Sequence, residues 1–138
     1  MELEINLKEG MGELLFGSNI EDVIKKIGSP SEVEEIGEDI DYPTTILHYD
    51  DLGISLFFDI NDHIVLSCID IDNPDLVIFG KKIIGSTPKE IENLMIENKI
   101  FNETMEKEDW GEMRISFEEY SVDFYFIDEK LVSVIFGK

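Results

Sequence analysis

The sequence is poor in cysteine and holds no long apolar run. Its single cysteine, Cys68, has no partner for an internal disulfide, which is typical of a protein from a reducing compartment. The first ten residues contain neither the basic stretch nor the apolar stretch of a secretion signal. No segment approaches the roughly 18 consecutive apolar residues of a membrane span. From these absences we expect a soluble cytoplasmic protein that does not enter a membrane.

Basic residues are also scarce, because 11 Lys and Arg stand against 32 Asp and Glu, a formal net charge of −21. This imbalance argues against nucleic acid and anionic membranes as partners, since both are bound through Lys and Arg. Residues 27–80 contain 13 acidic residues and no Lys or Arg. This acidic span either serves solubility alone or steers a basic protein partner toward the chain, and both interpretations stay open.

Motifs of catalysis and of cofactor binding are missing as well. The sequence has no Gly-x-Gly-x-x-Gly, no phosphate-binding Gly-Lys-Ser/Thr loop, no Cys-x-x-Cys and no His-Glu-x-x-His. Residues 70–75 begin like a calcium loop, but Asp75 stands where the turn needs Gly, and Lys81 stands where the loop needs Glu. His48 and His63 are too few for a metal site. We therefore predict no enzyme activity, no cofactor and no bound metal.

Two stretches of the chain repeat one pattern. Residues 49–58 read YDDLGISLFF and residues 117–126 read FEEYSVDFYF, so acids, apolar residues and aromatics follow in the same order. A shift of the sequence by 68 positions also brings Gly17-Ser18 onto Gly85-Ser86. Repetition of this length indicates one supersecondary unit that is used twice.

Capping residues and apolar periodicity predict the elements of each unit. Asn19 is a good N-cap ahead of an apolar stripe, and Thr87 with Glu90 forms a capping box, so we expect helices over 19–27 and 87–98. Alternating residues predict three strands after each helix, at 44–49, 53–59 and 63–69 and at 113–117, 121–127 and 130–136. The predicted fold class is α+β. It comprises two tandem repeats, residues 1–75 and 76–138, each a helix followed by a three- to four-stranded antiparallel meander sheet, which together form one compact unit.

The alternation also assigns residues to the two faces of the strands. We expect the face toward the helices to hold Leu47, Tyr49, Ile54, Leu56, Phe58, Ile115, Phe117, Val122, Phe124 and Phe126. The opposite face shows hydroxyls and two large aromatics at matching positions, which is typical of a docking surface. The predicted partner-binding residues are Phe57, Tyr125 and His48 on this face, the hairpin acids Asp50, Asp51, Asp59 and Asp62, and Trp110. Trp110 lies in a predicted turn and is either a loop anchor or an exposed contact residue.

The stretch GSNIEDVIKKIGSP at 17–30 resembles a known motif. Its Gly, small residue, acid-Val pair and Gly-x-Pro are similar to the helix start of the small outer-membrane-assembly lipoproteins and of the β-lactamase-inhibitor-protein-like group. The resemblance implies tandem helix-plus-sheet repeats whose concave sheet grips a protein partner. Small acidic cytoplasmic repeat proteins of this type also resemble bacterial immunity proteins, which neutralise toxins by binding them.

The sequence leaves three candidate functions for the chain. The first is a non-catalytic acidic protein-binding module, an immunity protein or inhibitor, that neutralises a basic toxin or enzyme. The second is a small-ligand binder or an enzyme that uses carboxylates. The third is a structural protein without a toxin partner. The acid pairs Asp50-Asp51 and Glu118-Glu119 lie in predicted exposed turns, where nothing moves the pKa of a carboxyl toward neutrality, so the sequence favours binding over catalysis.

Overall fold

A computed structural model describes residues 2–37, 43–60 and 64–138 of the chain. In these ranges the chain forms thirteen strands, two α-helices and two short 3-10 turns. The strands are β1 (Glu4–Asn6), β2 (Gly10–Met11), β3 (Leu14–Leu15), β4 (Glu32–Ile36), β5 (Thr44–Tyr49), β6 (Ile54–Ile60), β7 (Ile64–Ile71), β8 (Val77–Ile78), β9 (Lys81–Lys82), β10 (Thr104–Lys107), β11 (Glu112–Phe117), β12 (Val122–Ile127) and β13 (Lys130–Gly137). The helices are α1 (Ile20–Ile27) and α2 (Pro88–Glu97).

The larger sheet has eight strands in the order β10-β11-β12-β13-β7-β6-β5-β4, and all neighbours are antiparallel. Its middle is the pairing of β7 with β13, which places Ile71 opposite Val134 and Cys68 opposite Gly137. Strands from the first and second halves of the chain therefore form one continuous sheet. The edge strands β4 and β10 carry several charged residues, which discourage further strand addition.

The smaller sheet has five short strands in the order β3-β2-β1-β8-β9, and its β1–β8 pair is parallel. The helices begin at the predicted caps. The Asn19 side chain accepts a hydrogen bond of 2.8 Å from the Asp22 backbone N–H, and Thr87 with Glu90 forms the capping box. The predicted helix positions are thus confirmed, with ends that agree within about one residue.

One core lies between the larger sheet and the layer made of the helices and the smaller sheet. Buried side chains from both sheets and both helices form a single apolar cluster. All ten residues that alternation assigned to the helix-facing side are buried, and Leu56, Phe58, Ile115 and Phe124 have no measurable exposure. Burying one such side chain contributes roughly 1.5–3 kcal/mol, so this cluster is the main source of stability.

The prediction of an α+β fold of two helix-plus-meander repeats is wrong. The chain is mostly β, its described strands form an eight-stranded and a five-stranded sheet, and the two predicted meanders are halves of the larger one. Local patterns identify strands, but they do not say which strand edges pair, and in the structure β7 pairs with β13. Strands β4 and β10 were also missed, because their residues are all exposed and show no buried alternation. The boundary at residues 75 and 76 lies between β7 and β8 and stays a prediction.

Candidate protein-docking face

We call the face of the eight-stranded sheet that points away from the core the open face. One row of cross-strand neighbours crosses all eight strands on this face: Glu32, His48, Ser55, Asp70, Ile135, Asp123, Ser116 and Thr104. Polar side chains make up this row except at Ile135. The row is therefore mostly polar, although Ser116 is buried. Ile46 of β5, on the same face, is a buried apolar residue.

Phe57 and Tyr125 both lie on the open face, as predicted, and both are half-buried. Each stands next to a β-bulge, where the strand register shifts between Phe57 and Phe58 and between Tyr125 and Phe126. The extra residue is Ser67 in β7 and Val132 in β13. Bulges increase local twist and redirect side chains, so both aromatics occupy points where the sheet bends.

His48 is held by the two strands beside its own. Its Nδ1 lies 2.8 Å from the Ser55 Oγ, and its Nε2 lies 2.9 Å from the Glu34 Oε1. Sequence patterns do not reveal this Ser–His–Glu arrangement, because the three residues meet through the register of β4, β5 and β6. They form a hydrogen-bonded link across an edge of the open face.

The surroundings of Ser55 oppose its use as a nucleophile. A cleft of about 220 Å³ beside it is lined by Asp50, Asp70 and Asp72. Burial raises the pKa of the Asp70 carboxyl, and the neighbouring Asp72 raises it further. An acyl-transfer site needs hydrogen-bond donors aimed at a developing oxyanion, and carboxylates at that place destabilise negative charge. The geometry therefore fits a structural link better than a catalytic triad.

The predicted hairpin acids occupy different environments. Asp50 and Asp51 lie in the exposed 3-10 turn Asp50–Leu52 between β5 and β6. Asp59 is exposed but tied to the sheet, because its carboxylate accepts hydrogen bonds from the Thr44 Oγ1 at 2.9 Å and from the Ser67 Oγ at 2.6 Å. The predicted residue Asp62 lies outside the described residues.

Trp110 lies in the turn between β10 and β11, and 67% of its surface is exposed. A loop anchor buries its indole ring against the fold, so the structure favours the alternative of an exposed side chain. The turn itself is closed by the Glu108 N–H, which donates a 2.7 Å hydrogen bond to the Glu112 carbonyl. Trp110 therefore stands at one end of the second half of the sheet, apart from Phe57.

A cleft of about 350 Å³ lies over β10 to β13, beside Tyr125. It contains Arg114, the single arginine of the chain, whose guanidinium forms a 2.5 Å ion pair with Glu106. The pKa of the Arg114 guanidinium is raised mainly by a hydrogen bond with the Tyr125 side chain, and the negative charge of Glu106 raises it further. The Arg114 Nε is buried and lacks a hydrogen-bond partner among the described atoms. The sequence did not predict this cleft, because its lining comes from strands whose pairing the sequence does not show.

Cys68 and the acidic residues do not form a reactive or metal-binding centre in the described ranges. Burial raises the pKa of the Cys68 thiol to about 11, and Asp70, Asp59 and Asp123 contribute. Such a thiol is protonated at neutral pH and reacts slowly. Within the described part of the chain, no three His, Cys, Asp or Glu residues are grouped closely enough to hold a metal ion. Among the described residues no helix has the length and apolarity to cross a bilayer.

The fold and the open face define a class: a mostly antiparallel two-sheet β protein with two short helices on the core side. The chain belongs to the family described as Domain of unknown function (DUF7738), whose model matches residues 10–111. No curated protein matches it.

Solved structures share the fold at low sequence identity. The uncharacterized protein yfeY from Escherichia coli matches with a TM-score of 0.58 and 12% identity, over 100% of both chains. An extracellular protein containing a SCP domain from Bacillus anthracis matches with a TM-score of 0.55 and 15% identity, over 97% of this chain and 47% of that one. A cysteine-rich secretory protein from Staphylococcus aureus matches with a TM-score of 0.51 and 19% identity, over 100% and 50%. The chain thus spans about half the length of the last two proteins.

Proposed function

We propose that the chain is a non-catalytic protein-binding module that docks a basic protein on the open face. The observation that carries this proposal is the charge of the broad sheet face that points away from the core. Seven carboxylates lie on it against two basic residues, Arg114 and Lys130. The carboxylates belong to Glu32, Glu34, Asp59, Asp70, Glu106, Glu112 and Asp123.

Charge complementarity selects the partner. A face of this kind attracts a positively charged protein and repels nucleic acid and anionic lipid, so association is accelerated mainly with basic partners. The whole-chain charge of −21 acts in the same direction. It also opposes a symmetric dimer through this face, because two copies would bring like charges together.

Phe57 and Tyr125 supply the apolar contacts that charge alone lacks. Both are partly exposed aromatics on the same face, and aromatic side chains are the usual anchors of protein interfaces. The concrete form that we favour is an inhibitor or immunity protein, which neutralises a basic toxin or enzyme by covering its active surface. This form rests on the resemblance of residues 17–30 and on the acidic composition. A cytoplasmic location stays a prediction.

Surface plasmon resonance with purified proteins tests the proposal. The immobilised chain is exposed to basic proteins encoded next to its gene, and rates are measured between low and physiological salt. We expect association to slow steeply with salt while dissociation changes less. Phe57→Ala and Tyr125→Ala should each weaken binding by at least about 2 kcal/mol, roughly 30-fold.

The matched control is Phe101→Ala, because Phe101 is 52% exposed and follows α2, outside the eight-stranded sheet. It should leave the affinity unchanged. The proposal is contradicted if none of the basic proteins binds. An equal loss with Phe101→Ala, or binding that persists in both open-face variants, also contradicts it.

A further inference from the structure

We propose that the cleft beside Tyr125 receives a lysine or arginine side chain of the partner, which makes it the anchor pocket of the docking face. This inference rests on the proposed function and adds to it the chemical group that is recognised. The cleft lies over β10 to β13 and has a volume of about 350 Å³. That is near the lower end for ligand sites, and it suits one long side chain with its adjoining backbone.

The corresponding place in the first half of the sheet shows why the cleft exists. There, Asp59 lies two residues after Phe57 and accepts hydrogen bonds from Thr44 and from the bulge residue Ser67, which ties three strands together. In the second half the matching positions hold Glu112 and Ile127, which pair across β11 and β12, and the bulge residue Val132 of β13. These three side chains cannot make that network, so the space above the strands stays open.

The walls and the rim of the cleft have different chemistry. Ile127, Val132 and Ile135 provide apolar walls, and the exposed carboxylates of Glu108 and Glu112 line the rim. Long basic side chains place their methylene stem on apolar surface and their charged head among polar groups. The cleft offers both surfaces together, which an isolated acidic cluster does not.

The charge balance favours a cation over an anion. Arg114 is the basic residue in the lining and is already paired with Glu106, whereas Glu108 and Glu112 have no ion-pair partner among the described residues. Lys130, the cross-strand neighbour of Ile127, lies outside the lining. Three carboxylates against one guanidinium leave the lining with excess negative charge, even when Lys130 is counted beside it.

The test uses NMR titration of the full chain with a small probe, so that no protein partner is needed. The probe is Nα-acetyl-lysine amide, and Nα-acetyl-norleucine amide is the comparison that keeps the stem but lacks the ammonium group. We expect saturable amide shifts at the lining residues with the lysine probe. The norleucine probe should bind at least roughly tenfold more weakly, as expected for loss of a charge-assisted contact.

Two variants separate charge from shape. Glu108→Gln with Glu112→Gln should weaken binding of the lysine probe roughly tenfold. The control, Glu118→Gln with Glu119→Gln, removes the same charge from the exposed turn at the other end of β11. It should change the affinity for the lysine probe less than roughly twofold. The triple variant Glu112→Thr, Ile127→Asp and Val132→Ser copies the first half of the sheet and keeps the net charge. It should abolish probe binding by closing the cleft.

The inference is overturned if the norleucine probe binds equally well, if the shifts map outside the cleft, or if the triple variant binds as the original chain does. It is likewise overturned if the Glu118 and Glu119 control weakens binding as much as the cleft variant. If a basic protein docks through Phe57 but the lysine probe does not bind in the cleft, only the pocket is refuted and the proposed function stands. Probe binding in the cleft without any basic protein partner would support the pocket and contradict the proposed function.

Discussion

Truncation of two adjacent phenylalanines tests whether the open face is really open, and it requires no partner. Phe58 points into the core and has no measurable exposure, whereas Phe57 points to the open face and is half-buried. Phe58→Ala removes a fully packed ring and should cost roughly 3–5 kcal/mol of unfolding free energy. Phe57→Ala removes less buried surface and leaves no closed cavity, so a smaller loss of about 1–2 kcal/mol is expected.

Urea unfolding followed by circular dichroism measures both values. A difference of roughly 2 kcal/mol should move the thermal midpoints of the two variants apart by roughly 8 °C for a domain of this size. If Phe58→Ala proves too unstable to purify, Phe58→Leu and Phe57→Leu provide the same comparison at smaller cost. Far-ultraviolet spectra of both variants should match that of the unsubstituted chain.

Equal destabilisation by the two substitutions would refute the assignment of faces, because it would mean that Phe57 is also covered. A Phe57→Ala effect that grows with protein concentration would instead reveal a dimer seam on this face. Either result would remove the basis of the docking proposal, since a covered face is not available to a partner.

Three further predictions concern single groups. Asp70→Asn should stabilise the protein at pH 7, because burial raises the pKa of this carboxyl in the folded state. The ionised carboxyl destabilises the folded chain increasingly as the pH rises from the ordinary pKa of Asp through the raised pKa. Unfolding free energies measured over a pH series should therefore show that the stabilisation by Asn vanishes below roughly pH 4. Tyr49→Phe should cost about 1 kcal/mol in urea unfolding, because it removes the 2.8 Å hydrogen bond from the Tyr49 hydroxyl to the Gly28 carbonyl at the end of α1; no loss would mean that water replaces this bond. Cys68, with a pKa of about 11, should react with iodoacetamide at pH 8 roughly a hundredfold more slowly than an ordinary thiol, and urea should restore the usual rate; fast labelling of the folded chain would contradict its burial among acids.

The candidate site could be predicted from the sequence in part. Period-two alternation placed Phe57, His48 and Tyr125 on the face away from the core, because successive side chains of a strand point to opposite faces whatever the strand pairs with. The same pattern could not reveal that His48 meets Glu34 and Ser55, since these contacts depend on which strands pair and in what register.

The cleft beside Tyr125 shows a second limit. Val132 lies in a strand of ordinary composition, and it becomes the extra residue of a bulge only relative to its partner strand β12. A bulge is a property of two strands together, so one strand's sequence does not announce it. The sequence also did not reveal that the predicted partner-binding residue Asp59 is tied to Thr44 and Ser67, because these hydrogen bonds cross from one strand to another.

The sequence alone determined the helix starts at Asn19 and Thr87, the residues that enter the core and the strongly acidic surface. Each of these follows from local chemistry: caps satisfy nearby N–H groups, and alternation or helical spacing acts within a few residues. The tertiary structure alone decided that β7 and β13 join two meanders into one sheet, that short strands form a second sheet, and that a cleft opens over only one half. These features depend on backbone hydrogen bonds between residues far apart in the chain, and an unpaired strand edge carries the same donors and acceptors whichever edge it finally meets.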